Sequence, residues 1–498
     1  MSGKEIPRRK DMPRNKDMPR NNEKPRSTGG RGIRQPEGVV LRGAGAALRR
    51  PDQLPRHPEH ATQRTFEDQV ARDRVLRTAT TSRFGPAIRR AGGLPGFEGP
   101  KRDRHEPDYV ILVSVIALAA IGILMVYSAS AIPAYAQSNN TFQLVAPQIV
   151  AGLAGLAVMV ALMRLDYRYL RKFSVLFAGV AIFLLILVLV PGMGVVVYGS
   201  ARWLRMPLFQ VHPAEVAKLA LIIYLSHWLA ARGTSVRSFW RGTIPLGLIV
   251  LPFVALVARE PDIGTTTVIA LIGLALFFVA GANLLHLGLA LLAAVAGAVG
   301  LILTLGSVPL QRLQTFLDPW SDPNGAGYHT VKGLEALAAG GLFGTGLGND
   351  RISVPNDFND FIFSVIAQEL GLVGGLVVIG LFVALAWAGI RTALRAPDTF
   401  GGLMAAGITA WIIFQALINI GVVLAVVPVT GITLPFVSAG GSSLIVSFAA
   451  IGILLSISRE TAEGGAWNAP ADSGRGYGRT YLPGSRSRSI AASDSDLT

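Results

Sequence analysis

Residues 109–128 read YVILVSVIALAAIGILMVYS, twenty consecutive residues without a charge. At about 1.5 Å per residue, an α-helix of that length spans roughly 30 Å, the hydrocarbon thickness of a bilayer. Comparable apolar runs begin near Leu144, Phe173, Ala214, Thr243, Thr265, Leu284, Phe361, Leu403 and Val437, the fifth of the ten being the shortest. The whole chain is 51% hydrophobic and 15% charged, with a mean hydropathy of +0.46, more apolar than soluble domains usually are. The pattern predicts an all-α polytopic membrane protein of about ten transmembrane helices.

Short loops that stay in the cytoplasm retain Lys and Arg. Arg164, Arg168, Arg171 and Lys172 follow the second run, Arg232, Arg237 and Arg241 the fourth, Arg391 and Arg395 the eighth, and Arg459 the last. Both termini are therefore expected in the cytoplasm. The outward loops are then those around Arg202, the turn from Glu260 to Asp262, and a long connection from Ser307 to Asp360 between helices seven and eight. A connection of that length in a packed domain usually carries function.

The ends of the chain differ from its middle. Residues 1–108 hold 25 Lys and Arg against 14 Asp and Glu, are rich in Pro and Gly, and repeat Lys-Asp-Met-Pro-Arg at residues 10–14 and 16–20. This composition predicts a disordered basic cytoplasmic tail drawn to anionic membrane lipids. No interleaved aromatic residues favour nucleic acid, and none is expected as a partner. A second disordered tail is expected at 460–498, leaving 109–459 as the transmembrane domain. No short apolar leader opens the chain, so the first span itself is expected to direct insertion. The absence of cysteine excludes disulfides and thiolate metal sites.

Charges inside apolar runs are costly and need a reason. Glu215 and Lys218 are three apart on one helical face, which suits a self-neutralising ion pair as well as a functional site. In Arg259-Glu260-Pro261-Asp262-Ile263-Gly264-Thr265, Asp262 is placed either to cap the next helix or to act in a site. Arg202 beside Trp203 is also common at headgroup level without chemistry. The long loop holds residues 317–329, LDPWSDPNGAGYH, whose turn residues set carboxylates beside the membrane surface. The glycine-rich run 340–348 lacks the Lys-Ser/Thr ending of a nucleotide loop, and His212, His286 and His329 lack metalloprotease spacing. What remains is a group of carboxylates with Arg and Lys at one face of the membrane, suited to an anionic lipid-linked substrate.

From about Tyr109 to Arg459 the chain resembles the SEDS family of bacterial elongation, division and sporulation proteins, represented by RodA, FtsW and SpoVE. The resemblance is carried by Tyr127-Ser128-Ala129-Ser130, Arg202-Trp203, Pro213 to Lys218, Glu260 to Thr265, Asp322-Pro323 with Gly327-Tyr328-His329, and Asp360 to Phe363. It continues in Glu369-Leu370-Gly371, Asn419-Ile420-Gly421, and Pro428 to Ser438 followed by Gly440 to Ser443. It implies a multi-pass enzyme of the bacterial cytoplasmic membrane that polymerises lipid II into glycan strands of peptidoglycan, with undecaprenyl pyrophosphate as leaving group. Asp322 matches the family's essential loop aspartate, which implies a general base. Arg202, Glu215, Lys218, Glu260, Asp262, Asp360, Ser442 and Ser443 are the implied substrate-binding residues. A class B penicillin-binding protein and other elongation or division proteins are the implied partners. A Mg or Mn ion beside the pyrophosphate is a further expectation, with no ligand assigned.

Asn356 to Asn359 depart from the family's wording, in which a carboxylate and a histidine stand. Gln368 replaces a usual Glu, Ala214 a usual Ser and Ala439 a usual Tyr, so the outer cavity is expected to bind its lipid somewhat differently. A lipid II flippase would place charges at mid-depth or on both sides. A non-catalytic scaffold that activates a penicillin-binding protein would make polymer without Asp322. The wording does not choose between elongation, division and sporulation.

Overall fold

The computed structural model describes residues 105–197, 200–205, 210–304, 307–349 and 358–460. Apart from residues 105–108 and Glu460, the two tails lie outside the described residues, as do Asn356 and Asp357. Among the described residues ten apolar helices form the bundle: α1 (Tyr109–Ser138), α2 (Val145–Arg164), α3 (Arg168–Leu189), α4 (Pro213–Arg232), α5 (Ile244–Arg259), α6 (Ile263–Val279), α7 (Leu284–Thr304), and then α10 (Ile362–Arg395), α11 (Thr399–Val423) and α12 (Gly441–Ser458). Two more, α8 (Ser307–Leu317) and α9 (Tyr328–Gly340), lie between α7 and α10.

Eight of the ten are long and apolar enough to cross a membrane, and the other two, Ile263–Val279 and Leu284–Gly300, are shorter apolar helices. The fifth is the shortest, with 16 residues, and a π-helical turn, Phe239–Thr243, leads into it. Short carboxylates start several helices by accepting orphan amide protons: Asp108 accepts from Val110 N at 2.9 Å and Asp398 from Gly401 N at 2.8 Å. The chain is a multi-pass membrane protein, with α4, α11 and α12 the most enclosed helices and α3, α5 and α10 turned largely outward.

The basic loops meet at one end. Arg168 pairs with Glu460 and Asp398, and Arg459 donates to the carbonyls of His105 and Met163. The opposite, outward end has more structure than loop length and charge alone predict. Residues expected there as a plain loop form an antiparallel sheet of β1 (Gly194–Val197), β2 (Ser200–Arg205) and β3 (Gln210–Val211), in the order β1-β2-β3. Val195 pairs with Trp203 and Leu204 with Val211, a use of β-branched and aromatic residues that strands favour.

The long connection likewise folds, through α8 and α9. Its glycine-rich end closes a break in α10, where Gly371 leaves helical geometry at φ 69°. Leu372 N donates to Gly341 O (3.0 Å), Val373 N to Leu342 O (3.2 Å), and Thr345 N to Gln368 O (2.9 Å). A Cβ on Gly344 would lie 2.1 Å from Glu369 O, and one on Gly371 2.4 Å from Gly344 N. The glycines are thus explained by backbone meeting backbone rather than by a nucleotide. Non-helical backbone at this depth is tolerated because its polar groups are paired within the protein.

The same rule governs the segment between α11 and α12, whose Leu434, Phe436 and Val437 are buried without being helical. Its carbonyls are met by side-chain amides from the helices: Gln148 donates to Ser438 O (3.1 Å), Gln415 to Thr433 O (3.0 Å), and Asn419 to Ile432 O (2.7 Å). Ala439 N closes it onto Phe358 O at 2.9 Å.

Candidate active site

At the outer end, α4 begins with Pro213 at its first turn, and this start carries Glu215 and Lys218 inward on one face. Lys218 has 0% exposure. Its ammonium donates to Glu215 Oε1 at 2.8 Å and to Gln415 Oε1 at 2.7 Å, and it lies 5.0 Å from the centre of the Trp411 ring. Trp411 Nε1 donates to the same Gln415 oxygen at 2.8 Å. The i,i+3 ion pair therefore exists, but it is a part of a larger network across α4 and α11. Glu215 Oε2 is buried without a hydrogen-bond partner among the described residues.

Above that network stand the residues of the α5–α6 turn. Asp262 caps α6, accepting from Thr265 N at 3.0 Å and from its hydroxyl at 2.8 Å. Its second role is a contact with His212 Nε2 at 3.8 Å. His212 sits against Trp203, its backbone amide donates to Ser442 Oγ at 3.3 Å, and its Nδ1 is buried without a partner among the described residues. Burial holds His212 below the usual imidazole range despite the nearby carboxylates. Glu260, 1% exposed, is lifted to about 8, first by burial and then by the charge of Asp262. Arg202 on β2 ties this turn down, donating to the carbonyls of Glu260 (3.2 Å) and Pro261 (2.6 Å).

Asp360 joins from the other side of the cluster, its carbonyl accepting from Asn419 at 2.8 Å. Burial raises its carboxyl, opposed by its own backbone amide and by the charges of His329 and Arg312. Arg312 on α8 also feels Arg202 and Asp262, and burial with that like charge lowers it. The fold thus brings Arg202, Glu215, Lys218, Glu260, Asp262 and Ser442 together and adds Asp360 beside them. Ser443 follows Ser442 in the first turn of α12, partly exposed.

Asp322 is held differently. It is exposed, and its turn is closed by Ala326 N donating to Oδ2 (3.0 Å) and by Gly327 N donating to its carbonyl (2.9 Å). A Cβ on Gly325 would fall 2.1 Å from Asp322 Oδ2, so that glycine keeps room for the carboxylate. The turn leads into α9, where His329 stacks on Phe361 at 5.8 Å, next to Asp360. An exposed carboxylate held by a backbone amide is suited to accept a proton from an incoming hydroxyl.

Among the described residues no group of three or more His, Cys, Asp or Glu is placed to share a metal ion. No ligand set is assigned to the expected Mg or Mn ion, and the chemistry below is derived from side chains alone. Gln415, Trp411, His212 and Arg312 were not singled out from the sequence as site residues. Gln415 had a signal, since an amide within an apolar span demands a partner.

The arrangement defines a class: a polytopic helical membrane protein with a polar site at its outward end. A family model described as cell cycle protein, covering FtsW, RodA and SpoVE, matches residues 109–463, and the chain belongs to that family. Stage V sporulation protein E of Bacillus subtilis is 41% identical over 72% of this chain and 98% of its own length. The probable peptidoglycan glycosyltransferase FtsW of Thioalkalivibrio sulfidiphilus is 40% identical over 72% of this chain and 91% of its own. Among solved structures, the rod shape determining protein RodA of Thermus thermophilus is similar with a TM-score of 0.54 and 29% identity, covering 72% of this chain and 98% of that one. A chain from a peptidoglycan synthase complex, described by its coordination of polymerization and crosslinking, reaches a TM-score of 0.59 and 30% identity over 71% of this chain and 98% of its own.

Proposed function

We propose that this chain is a peptidoglycan glycosyltransferase that polymerises lipid II at the outer face of the bacterial cytoplasmic membrane. The observation that carries the reading is the pairing of an exposed, amide-fixed Asp322 with a buried cationic and acidic cluster at the same end of the bundle. Curated relatives named as peptidoglycan glycosyltransferases support the reaction class.

In this reading Asp322 takes the proton from the 4-hydroxyl of the acceptor GlcNAc, and that oxygen forms a bond to C1 of the donor MurNAc. The bond from C1 to the phosphate oxygen breaks, and undecaprenyl pyrophosphate leaves with the electron pair. Its charge is met by Arg202 at the rim and by the fixed positive charge of Lys218, which Glu215 and Gln415 orient. A class B penicillin-binding protein is the proposed partner, a reading supported by a solved relative's place in a synthase complex that couples polymerization to crosslinking.

The test is glycan synthesis from lipid II by the purified protein with its partner, comparing wild type with Asp322→Ala and Asp322→Asn. Both variants are expected to lose roughly 10²–10⁴-fold in rate, the usual share of a general base, while retaining lipid II binding. Wild-type rates in both would instead assign polymerisation elsewhere and leave transport or scaffolding as the activity.

A further inference from the structure

The outward layer of the molecule can be placed by counting residues up its helices. Ser128 bonds both oxygens of Glu369 (2.8 and 2.7 Å), and it lies nineteen residues above Tyr109, the first residue of α1, or about 29 Å at the helical rise. Asn419, bonded to the Asp360 carbonyl, lies twenty residues above Thr399, the first residue of α11, or about 30 Å. Those two helix starts belong to the same inner end, where Asp108 N meets Ser458 Oγ and Tyr167 donates to Asp398. Asp360 and Glu369 therefore stand at nearly one height, about one hydrocarbon thickness up. The part of α10 before Gly371 runs along the outer boundary rather than through the membrane.

α9 lies beside that part and runs the same way. Gly333 abuts Phe361, and Gly340 abuts the Ala367 carbonyl. The turn that follows is tied to the break at Gly371, and at its tip Leu342 is 62% and Phe343 81% exposed. Leu347, Leu372, Val373, Leu376 and Val377 are exposed beside it, and the last two continue down the outward face of α10 into its membrane span. Lys332 and Glu335 pair with each other on α9 at 2.7 Å, part-exposed.

We propose that the turn 341–347 is an interfacial seat, with Leu342 and Phe343 inserted sideways into the outer leaflet at the level of the glycerol backbones. Three features select lipid as the occupant: the height of the turn, its continuity with the apolar face of α10, and its rigidity. Four backbone hydrogen bonds to residues 368–373 hold the tip in its exposed position. An apolar side chain fixed there gains by burial in the headgroup boundary. Because the Asp322 turn opens α9 and the seat closes it, the bilayer then fixes the far end of the helix that follows the site's aspartate.

The natural chain contains no cysteine, so single-cysteine variants report without background. Nitroxide labels at Phe343→Cys and Leu342→Cys, in liposomes of phosphatidylglycerol and phosphatidylethanolamine, are compared with Val383→Cys in the membrane span and Ser321→Cys on the exposed loop. Oxygen is expected to collide with the labels at 342 and 343 more often than an aqueous nickel complex does, giving a depth of about 5–10 Å below the phosphates. Collision with the nickel complex equal to that at residue 321 would overturn the proposal. So would shielding from both reagents, as under a second copy of the chain. The measurement needs no polymerisation, so its failure leaves the glycosyltransferase reading standing, and failure of that reading leaves the depth unchanged.

Discussion

At the inner end of the bundle, Arg168 lies 2.6 Å from Glu460, 3.4 Å from Asp398 and 3.7 Å from Asp166, and Tyr167 also donates to Asp398. At the outer end, Lys218 is just as well held, yet Glu215 Oε2, His212 Nδ1, Asn419 Oδ1 and Thr430 Oγ1 stay buried without partners among the described residues. The inner charges tie two loops to the end of the last helix. The outer ones leave acceptors and donors unspent, and there burial, followed by the charge of Asp262, lifts Glu260 to about 8. Buried polar atoms without partners are costly. Thr243 Oγ1 and His286 Nδ1 at the inner end also lack partners among the described residues, but the outer atoms gather around one charged cluster, and that grouping suits something that arrives there. Perturbed titrating groups cluster at functional sites for the same reason.

The sharpest way to break this contrast is Lys218→Met. Removing the ammonium leaves Glu215 buried and Gln415 short of one of its two donors, which costs about 3–5 kcal/mol and shows as a lower unfolding temperature in detergent. The double variant Lys218→Met with Glu215→Leu removes both charges, and most of the stability is expected to return. Polymerisation is not expected to return with it. Recovery of both would make the pair a tolerated ion pair and nothing more.

The next effect depends on pH. The folded Glu260 binds its proton more tightly than the unfolded chain does, between its ordinary value of 4.5 and about 8. The stability from protonated Glu260 is complete below about pH 4.5 and is lost as pH rises toward 8, with a slope of at most about 1.4 kcal/mol per pH unit. Glu260→Gln is expected to remove that slope, so the variant gains on the wild type as pH rises from 5 to 8. Parallel unfolding curves across this range would show that Glu260 is solvated.

Most of the spans were legible because twenty apolar residues have one way to cross lipid. The capping role of Asp262 and the ion pair of Glu215 with Lys218 were legible too, being local at three residues' spacing. The break at Gly371 was not, since one glycine in an apolar run leaves hydropathy unchanged and its cause, Gly344, lies in another segment. Nor was the partnership of Lys218 with Gln415, which depends on α4 and α11 packing together across 197 positions. Asp322 carries no periodic or spacing signal at all, and only the family resemblance singled it out.

The smallest expected effect tests the inner end by itself. The Arg168 side chain is 38% exposed, so solvent screens its ion pairs, and Arg168→Met should cost only about 1 kcal/mol of stability. Glu460 is 3% exposed in its side chain, so part of that cost comes from its carboxylate rather than from the lost arginine. Lipid II polymerisation below the unfolding transition is expected to match wild type, because Arg168 is separated from the outer site by the length of α3, 22 residues or about 33 Å. A large loss of activity in a folded Arg168→Met protein would mean that the inner network transmits its state to the outer site. The two ends would then be one coupled system rather than a clamp and a reaction centre.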